Sequence, residues 1–114
     1  MGSRRIVHVT GPQRHHSAVV RAEATAAALG ESLIAPPQYG HWSEEWGRHA
    51  VDMMLAAHPD LDGFCCGSDQ IARGVTDRLR ERTEQMEAEI FMRAREVEVA
   101  REQLEAEQKL RQVQ

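Results

Sequence analysis

Between Leu61 and Ala72 the chain reads Leu-Asp-Gly-Phe-Cys-Cys-Gly-Ser-Asp-Gln-Ile-Ala, a short apolar run that closes on small residues and an aspartate before a helix-forming segment begins. A buried parallel strand hands over to a helix in this way in an open α/β sheet, and ligands of such sheets bind at the carboxyl edge of the strands.

The upstream segments fit the same plan. Arg4 to Thr10 is a β-branched run that stops at Gly11-Pro12, a strong turn signal. Ser17 is placed to cap an Ala-rich helix from Ala18 to Leu29, with Gly30 at the position after its last turn. Ser32–Ala35 reads as a weak strand broken by Pro36-Pro37, and Gln38–Trp42 as a loop. Ser43 caps a second helix whose first turn carries Glu44 and Glu45, to the benefit of the helix dipole. Trp46, Ala50, Met53, Met54 and Ala57 recur there at helical spacing, and the segment runs out at His58-Pro59. Leu61–Cys66 is the third strand, and Asp69 is the expected cap of the third helix. The order β-α-β-α-β-α with short loops predicts a small three-layer α/β unit. Its parallel sheet should have strand order 2-1-3, right-handed crossovers and helices on both faces.

The third helix has no visible stop. From Val75 to Gln114 there is no Gly, Pro or Asn. Residues 83–114 hold eight Glu, five Lys or Arg and thirteen apolar side chains. Glu89 with Arg93, Glu105 with Lys109 and Glu107 with Arg111 are at the i,i+4 spacing that favours ion pairing. Ile90, Val97 and Leu104 repeat at seven, with Met86, Ala94 and Ala100 near the complementary positions of a thin coiled-coil seam. A single helix over residues 70–113 would run about 66 Å, against a radius of gyration of about 12 Å for a globule of the preceding length. Such a helix must pair with another chain, fold back or fray. The chain is therefore expected to consist of a lobe over residues 1–82 and a charged amphipathic helical tail over 83–114.

Charge and composition remove several functions. A net charge of −4 and a pI near 5.8 argue against sequence-independent nucleic-acid binding, which needs clustered cations. Two Trp, two Phe and one Tyr are too few to build a stacking platform for single strands. Cys65 and Cys66 are neighbours on one strand and point to opposite faces, so they read as small buried residues of a reducing cytosol. No apolar stretch reaches membrane-spanning length and no signal peptide is visible. Met1-Gly2-Ser3 reads as a start followed by a cloning remnant, and the chain as cytoplasmic. Among the six histidines, His15 and His16 are adjacent, while His41, Glu45 and His49 straddle a helix start, and neither set has a zinc spacing. Gly11-Pro12-Gln13-Arg14 lacks the features of a phosphate loop. Asp69 at a strand end has no acidic partner in the sequence, so neither catalysis nor a cofactor is expected.

Four segments in order carry a resemblance: Ile6-Val7-His8-Val9-Thr10-Gly11-Pro12; Ser17-Ala18-Val19-Val20-Arg21 with its Ala-rich helix; Gly40-His41-Trp42-Ser43 with Gly47 and Ala50; and Gly67-Ser68-Asp69-Gln70-Ile71-Ala72 with Gly74 and Val75. Together they resemble the C-terminal effector-binding lobe of the lactose/galactose repressor family, over residues 4 to about 82. The resemblance implies a periplasmic-binding-protein-like lobe in which Arg21, Trp42, Ser68 and Asp69 face a sugar effector. An arginine's planar donors can fork onto ring hydroxyls, and an indole can stack on the apolar face of a pyranose. Ser68 stands where the family commonly has Asn. The strands that continue the family's lobe, the second lobe and the DNA-reading element have no counterpart in this chain.

The expected function is thus a truncated sugar-binding lobe of a transcriptional repressor, without autonomous DNA binding and with weak effector affinity. The alternative is an interaction protein, a fusion or chimera joined near Arg82-Thr83, whose helix drives oligomerisation on an α/β scaffold. In either case the partners expected are a small sugar and further copies of the chain, joined through the tail or an open sheet edge, with no membrane.

Overall fold

The computed structural model describes residues 4–113; Met1-Gly2-Ser3, read above as a cloning remnant, lies outside them. The chain divides into two units, Met1–Arg80 and Glu81–Gln114.

The first unit is α/β. In chain order it contains β1 (Ile6–Thr10), α1 (His16–Leu29), a short 3₁₀ turn, β2 (Gln38–Tyr39), α2 (Glu44–Ala57), β3 (Gly63–Cys66) and the start of α3 (Asp69–Val113). The three strands form a parallel sheet in the order β2-β1-β3, as the alternation of elements predicts. β1 is central. Ile6 to Val9 pair in register with Gly63 to Cys66, while Val9 and Thr10 pair with Gln38 and Tyr39.

Strand alternation sends the side chains of β1 to two different layers. Val7 and Val9 join Ala50, Val51 and Met54 of α2 and Ile71 and Val75 of α3 in the buried core. Phe64, Leu61, Trp42, Trp46 and Leu79 pack around that cluster. His8 and Thr10, both buried, lie on the other face of the strand with Cys65 and α1, where Ala18 and Ala22 are the buried helix residues. α2 and α3 approach so closely that a methyl group on Gly47 would meet the Ile71 carbonyl oxygen, and one on Gly74 the Glu44 carbonyl oxygen. Arg78 on α3 clamps both oxygens of Asp52 on α2, at 2.9 and 3.2 Å.

β1 and β3 each begin two residues later than expected, and larger departures occur in three places. The second strand is Gln38–Tyr39 rather than Ser32–Ala35. Leu33 makes an isolated bridge to Ile6 and the Ile34 amide donates to the Ile6 carbonyl, so the edge forms in two pieces around Pro36-Pro37. Prolines lack the amide that a continuous ladder needs. Ser17 does not cap α1: the helix starts at His16, with His15 at the cap position and no side-chain cap bond, because the His15 ring is engaged elsewhere. Asp69 is the first residue of α3 rather than its cap, and the cap is Ser68, whose Oγ accepts from the Ile71 amide at 3.2 Å. Ser43 caps α2 as expected, accepting from the Trp46 amide at 3.1 Å.

The second unit is the continuation of α3, helical to Val113, and every described residue from Thr83 to Val113 is exposed. The three i,i+4 pairs expected there are not closed. An ion pair that does form among the described residues of this segment is Arg101 with Glu98, at 3.4 Å and i,i+3. In water, holding two long side chains in one geometry costs about as much as the pairing gains. No helix among the described residues is long and apolar enough to cross a membrane.

Two predictions follow from the packing of the first unit. Gly74→Ala forces a methyl into the α2 backbone and should cost between about 1 and 3 kcal/mol in urea denaturation, whereas Ala56→Gly on the exposed face of α2 should cost about 1 kcal/mol. His8 donates through Nδ1 to the Cys65 carbonyl at 2.9 Å, while its buried Nε2 has no partner. Burial, only partly offset by that hydrogen bond, pushes its pKa below the ordinary 6.5. The unfolded chain therefore takes up a proton that the folded His8 refuses, so this contribution is complete above pH 6.5 and is lost as the pH falls below it. The urea midpoint should drop between pH 7.5 and 5.5 in the natural chain, and less so in His8→Val.

Candidate functional site

The carboxyl ends of β1 and β3 form one rim of the sheet, and three segments distant in sequence meet there. β1 ends at Thr10-Gly11 and β3 at Cys66-Gly67, with the Gly67 amide donating to the Val9 carbonyl at 2.8 Å. A side chain at Gly67 would collide with Thr10, so glycine lets the two strand ends close up.

Arg21 reaches this rim from α1. Its Nη1 donates to the Gly67 carbonyl at 2.7 Å, and its guanidinium carbon lies 5.2 Å from the centre of the Trp42 ring. Such a cation–π contact at an exposed site contributes about 0.5–1 kcal/mol. Trp42, on the loop between β2 and α2, lies against Gly11 so closely that any side chain there would overlap the indole. Its Nε1 donates to His15 Nδ1 at 2.8 Å, and the two rings are tilted with centroids 6.3 Å apart. Ser68 follows Gly67 directly. Its hydroxyl oxygen takes the Ile71 amide, which leaves its proton for another acceptor. Asp69 is exposed on the first turn of α3 and takes no hydrogen bond from the described residues.

Of the four expected site residues, Arg21, Trp42 and Ser68 are thus brought to one rim, Arg21 linking Trp42 to the residue before Ser68. Asp69 adjoins them in sequence, with its carboxylate in solvent. His15 belongs to the same cluster and carried no motif that would have singled it out. Gly11 is legible only as a turn former, although its lack of a side chain is what admits Trp42.

Beside this rim lies an open depression of about 480 Å³ lined by Tyr39, Gly40, His41, Ser43, Glu45, Trp46 and His49. Trp46 is fixed there by its Nε1, which donates to the Thr10 carbonyl at 2.9 Å, and His49 lies tilted at 6.0 Å from it. His41, Glu45 and His49 share the depression, but among the described residues no three His, Cys, Asp or Glu side chains converge as a metal ion requires. Cys65 and Cys66 are both free thiols. Burial and the neighbouring Cys65 push Cys66 up to about 11, so it stays a thiol at neutral pH.

The rim thus offers an arginine with uncommitted donors, lying over the Trp42 ring, and a hydroxyl. That set suits a neutral ligand rich in hydroxyls. No protein-family model matches the chain, and no curated protein matches it.

The cap assignment is testable by stability. Ser68→Ala should cost about 1 kcal/mol through the lost Ile71 amide partner, and Asp69→Ala less, as a first-turn acid that only complements the dipole. The reverse order in urea titrations would make Asp69 the cap.

Proposed function

We propose that residues 4–82 are an effector-binding lobe of the lactose/galactose repressor type, cytoplasmic, which holds a sugar weakly at the rim of its sheet. The observation that carries this reading is the Arg21 guanidinium, held between the Trp42 ring and the Gly67 carbonyl. One contact joins three of the four segments whose order and spacing carry the family resemblance, at the edge where open α/β sheets receive ligands. Arg21 supplies the donors to ring hydroxyls and Ser68 a further donor, while the Trp42 ring under the guanidinium holds that arginine in place. Asp69, in solvent next to Ser68, accepts from a hydroxyl that extends beyond the ring.

In a two-lobed receptor the effector is enclosed from both sides, and closure biases a distant element. One rim supplies only one side. Binding to this rim alone should be in the millimolar range, equivalent to about −4 kcal/mol, with no turnover of the sugar, and the chain's net charge of −4 argues against DNA binding by these residues.

Titration with a panel of hexoses, pentoses and β-galactosides, followed by tryptophan fluorescence and by proton–nitrogen NMR shifts, tests the reading. One or more sugars should perturb Trp42 Nε1 and the Gly67–Asp69 amides, and Arg21→Ala or Trp42→Ala should weaken that response at least tenfold. A panel that leaves those signals unmoved at saturating solubility, or shifts that persist in both variants, would remove the sugar site.

A further inference from the structure

We propose that the second unit is a parallel dimerisation helix whose partner is a second copy of the same segment. Thr83, Ile90, Val97 and Leu104 form one row at a spacing of seven, and Met86, Arg93 and Ala100 the complementary row. Alternating steps of four and three along a helix give the seam of a left-handed two-stranded coil. The large apolar members of this seam are exposed, Met86 at 60%, Ile90 at 65%, Val97 at 69% and Leu104 at 55%, as are Phe91, Met92 and Leu110 off it, so it is the regular spacing and the flanking charges that mark the seam. Glu107 and Arg111 occupy the next two seam positions, so the apolar row ends at Leu104. Arg93 is the single charge inside it, the kind of core polar residue that lowers affinity while fixing register.

The flanking charges select the partner and its direction. In a parallel pair, each residue just before the first row faces the other helix five residues further on. Arg82 then faces Glu87 of the second copy and Glu96 faces Arg101 of the second copy, while Glu89 faces the neutral Ala94. No flanking pair of this arrangement from Arg82 to Arg101 brings like charges together. An antiparallel pair would instead set the row Glu89, Glu96 against itself. Arg101 has only a 3.4 Å contact with Glu98 on its own helix and is 67% exposed, so it can swing to Glu96 of the second copy. Self-complementarity of this kind makes a second copy a better fit than an unrelated helix.

Sedimentation equilibrium of the full chain from about 5 to about 300 μM tests this, since dimerisation follows mass action. The mass should rise from 12.9 kDa towards twice that value. Val97→Asp, in the seam, should hold the chain at the monomer mass across the range. Val99→Asp, off the seam and equally a surface change, should leave the dimer intact. Arg101→Glu should weaken association several-fold, and the double exchange Glu96→Arg with Arg101→Glu should restore it. Leu104→Cys should form a disulfide-linked dimer on non-reducing gels that the natural chain, with its own Cys65 and Cys66, does not form. A chain that stays monomeric throughout overturns the proposal, as does dissociation by Val99→Asp rather than Val97→Asp. A dimer that Leu104→Cys fails to cross-link overturns the parallel arrangement.

Discussion

β1 is the one strand with a hydrogen-bonded neighbour on either side, and the rest of the first unit is built against it. Its carboxyl end carries the greatest load. The Thr10 carbonyl accepts from both the Gly40 amide at 3.1 Å and the Trp46 indole at 2.9 Å, which sets where the loop after β2 ends and where α2 begins. Gly11 makes room for Trp42, and Gly67 lets β3 close against Thr10. Positions that could otherwise carry any small residue are thereby limited to glycine. The candidate site is a direct result of this crowding: Trp42 is within reach of Arg21 because it can lie flat on a residue that has no side chain.

The same strand carries the main internal cost of the fold. His8 Nε2 and Thr10 Oγ1 are buried without hydrogen-bond partners, and each such group is destabilising by roughly 1–3 kcal/mol relative to a satisfied one. They lie on the face where the buried helix residues are Ala18 and Ala22, both small, whereas the opposite face has Val51, Met54, Ile71 and Val75. A unit of this size buries a modest fraction of its surface. An asymmetric sheet with polar atoms on its thinner side has little stability in reserve. That gives weight to the α2–α3 contact, with its two glycines and the Arg78–Asp52 clamp.

How much was legible beforehand depended on whether the signal was local. The β-α alternation is written in runs of apolar residues and in the breaks between them, so strand order and the span of α2 followed from the sequence. Ser43 was readable as a cap because two glutamates follow it. At Ser68-Asp69 two good capping residues are adjacent, and propensity does not say which hydroxyl or carboxylate will reach the amide three residues on; the backbone leaving β3 decides for Ser68. At His15 the choice was made by Trp42, twenty-seven residues away, and no local pattern records that. Pro36-Pro37 marked a break in the edge strand, but the pairing on its far side depends on where β1 ends. Arg21 and Trp42 were readable as candidates only through the family resemblance, and their mutual contact is a tertiary fact.

That contact also limits how the rim can work. One guanidinium nitrogen is held by Gly67 and one face of the group is covered by the Trp42 ring, so contacts within the protein fix the arginine. A fixed donor does not have to be ordered when a ligand arrives, which favours binding. Against this, Trp42 already has a cation over its ring, so a sugar stacking on that same face must displace Arg21, with the loss of both its contacts. A sugar approaching from the solvent side of the guanidinium displaces nothing, but gains only the remaining donors and the Ser68 hydroxyl. The second approach keeps every protein contact intact and is the one that the geometry favours. Under the proposed sugar reading, a single rim should then discriminate poorly: hydrogen bonds from one side read the presence of neighbouring hydroxyls, while the shape of a ring is read only when a second surface closes on it.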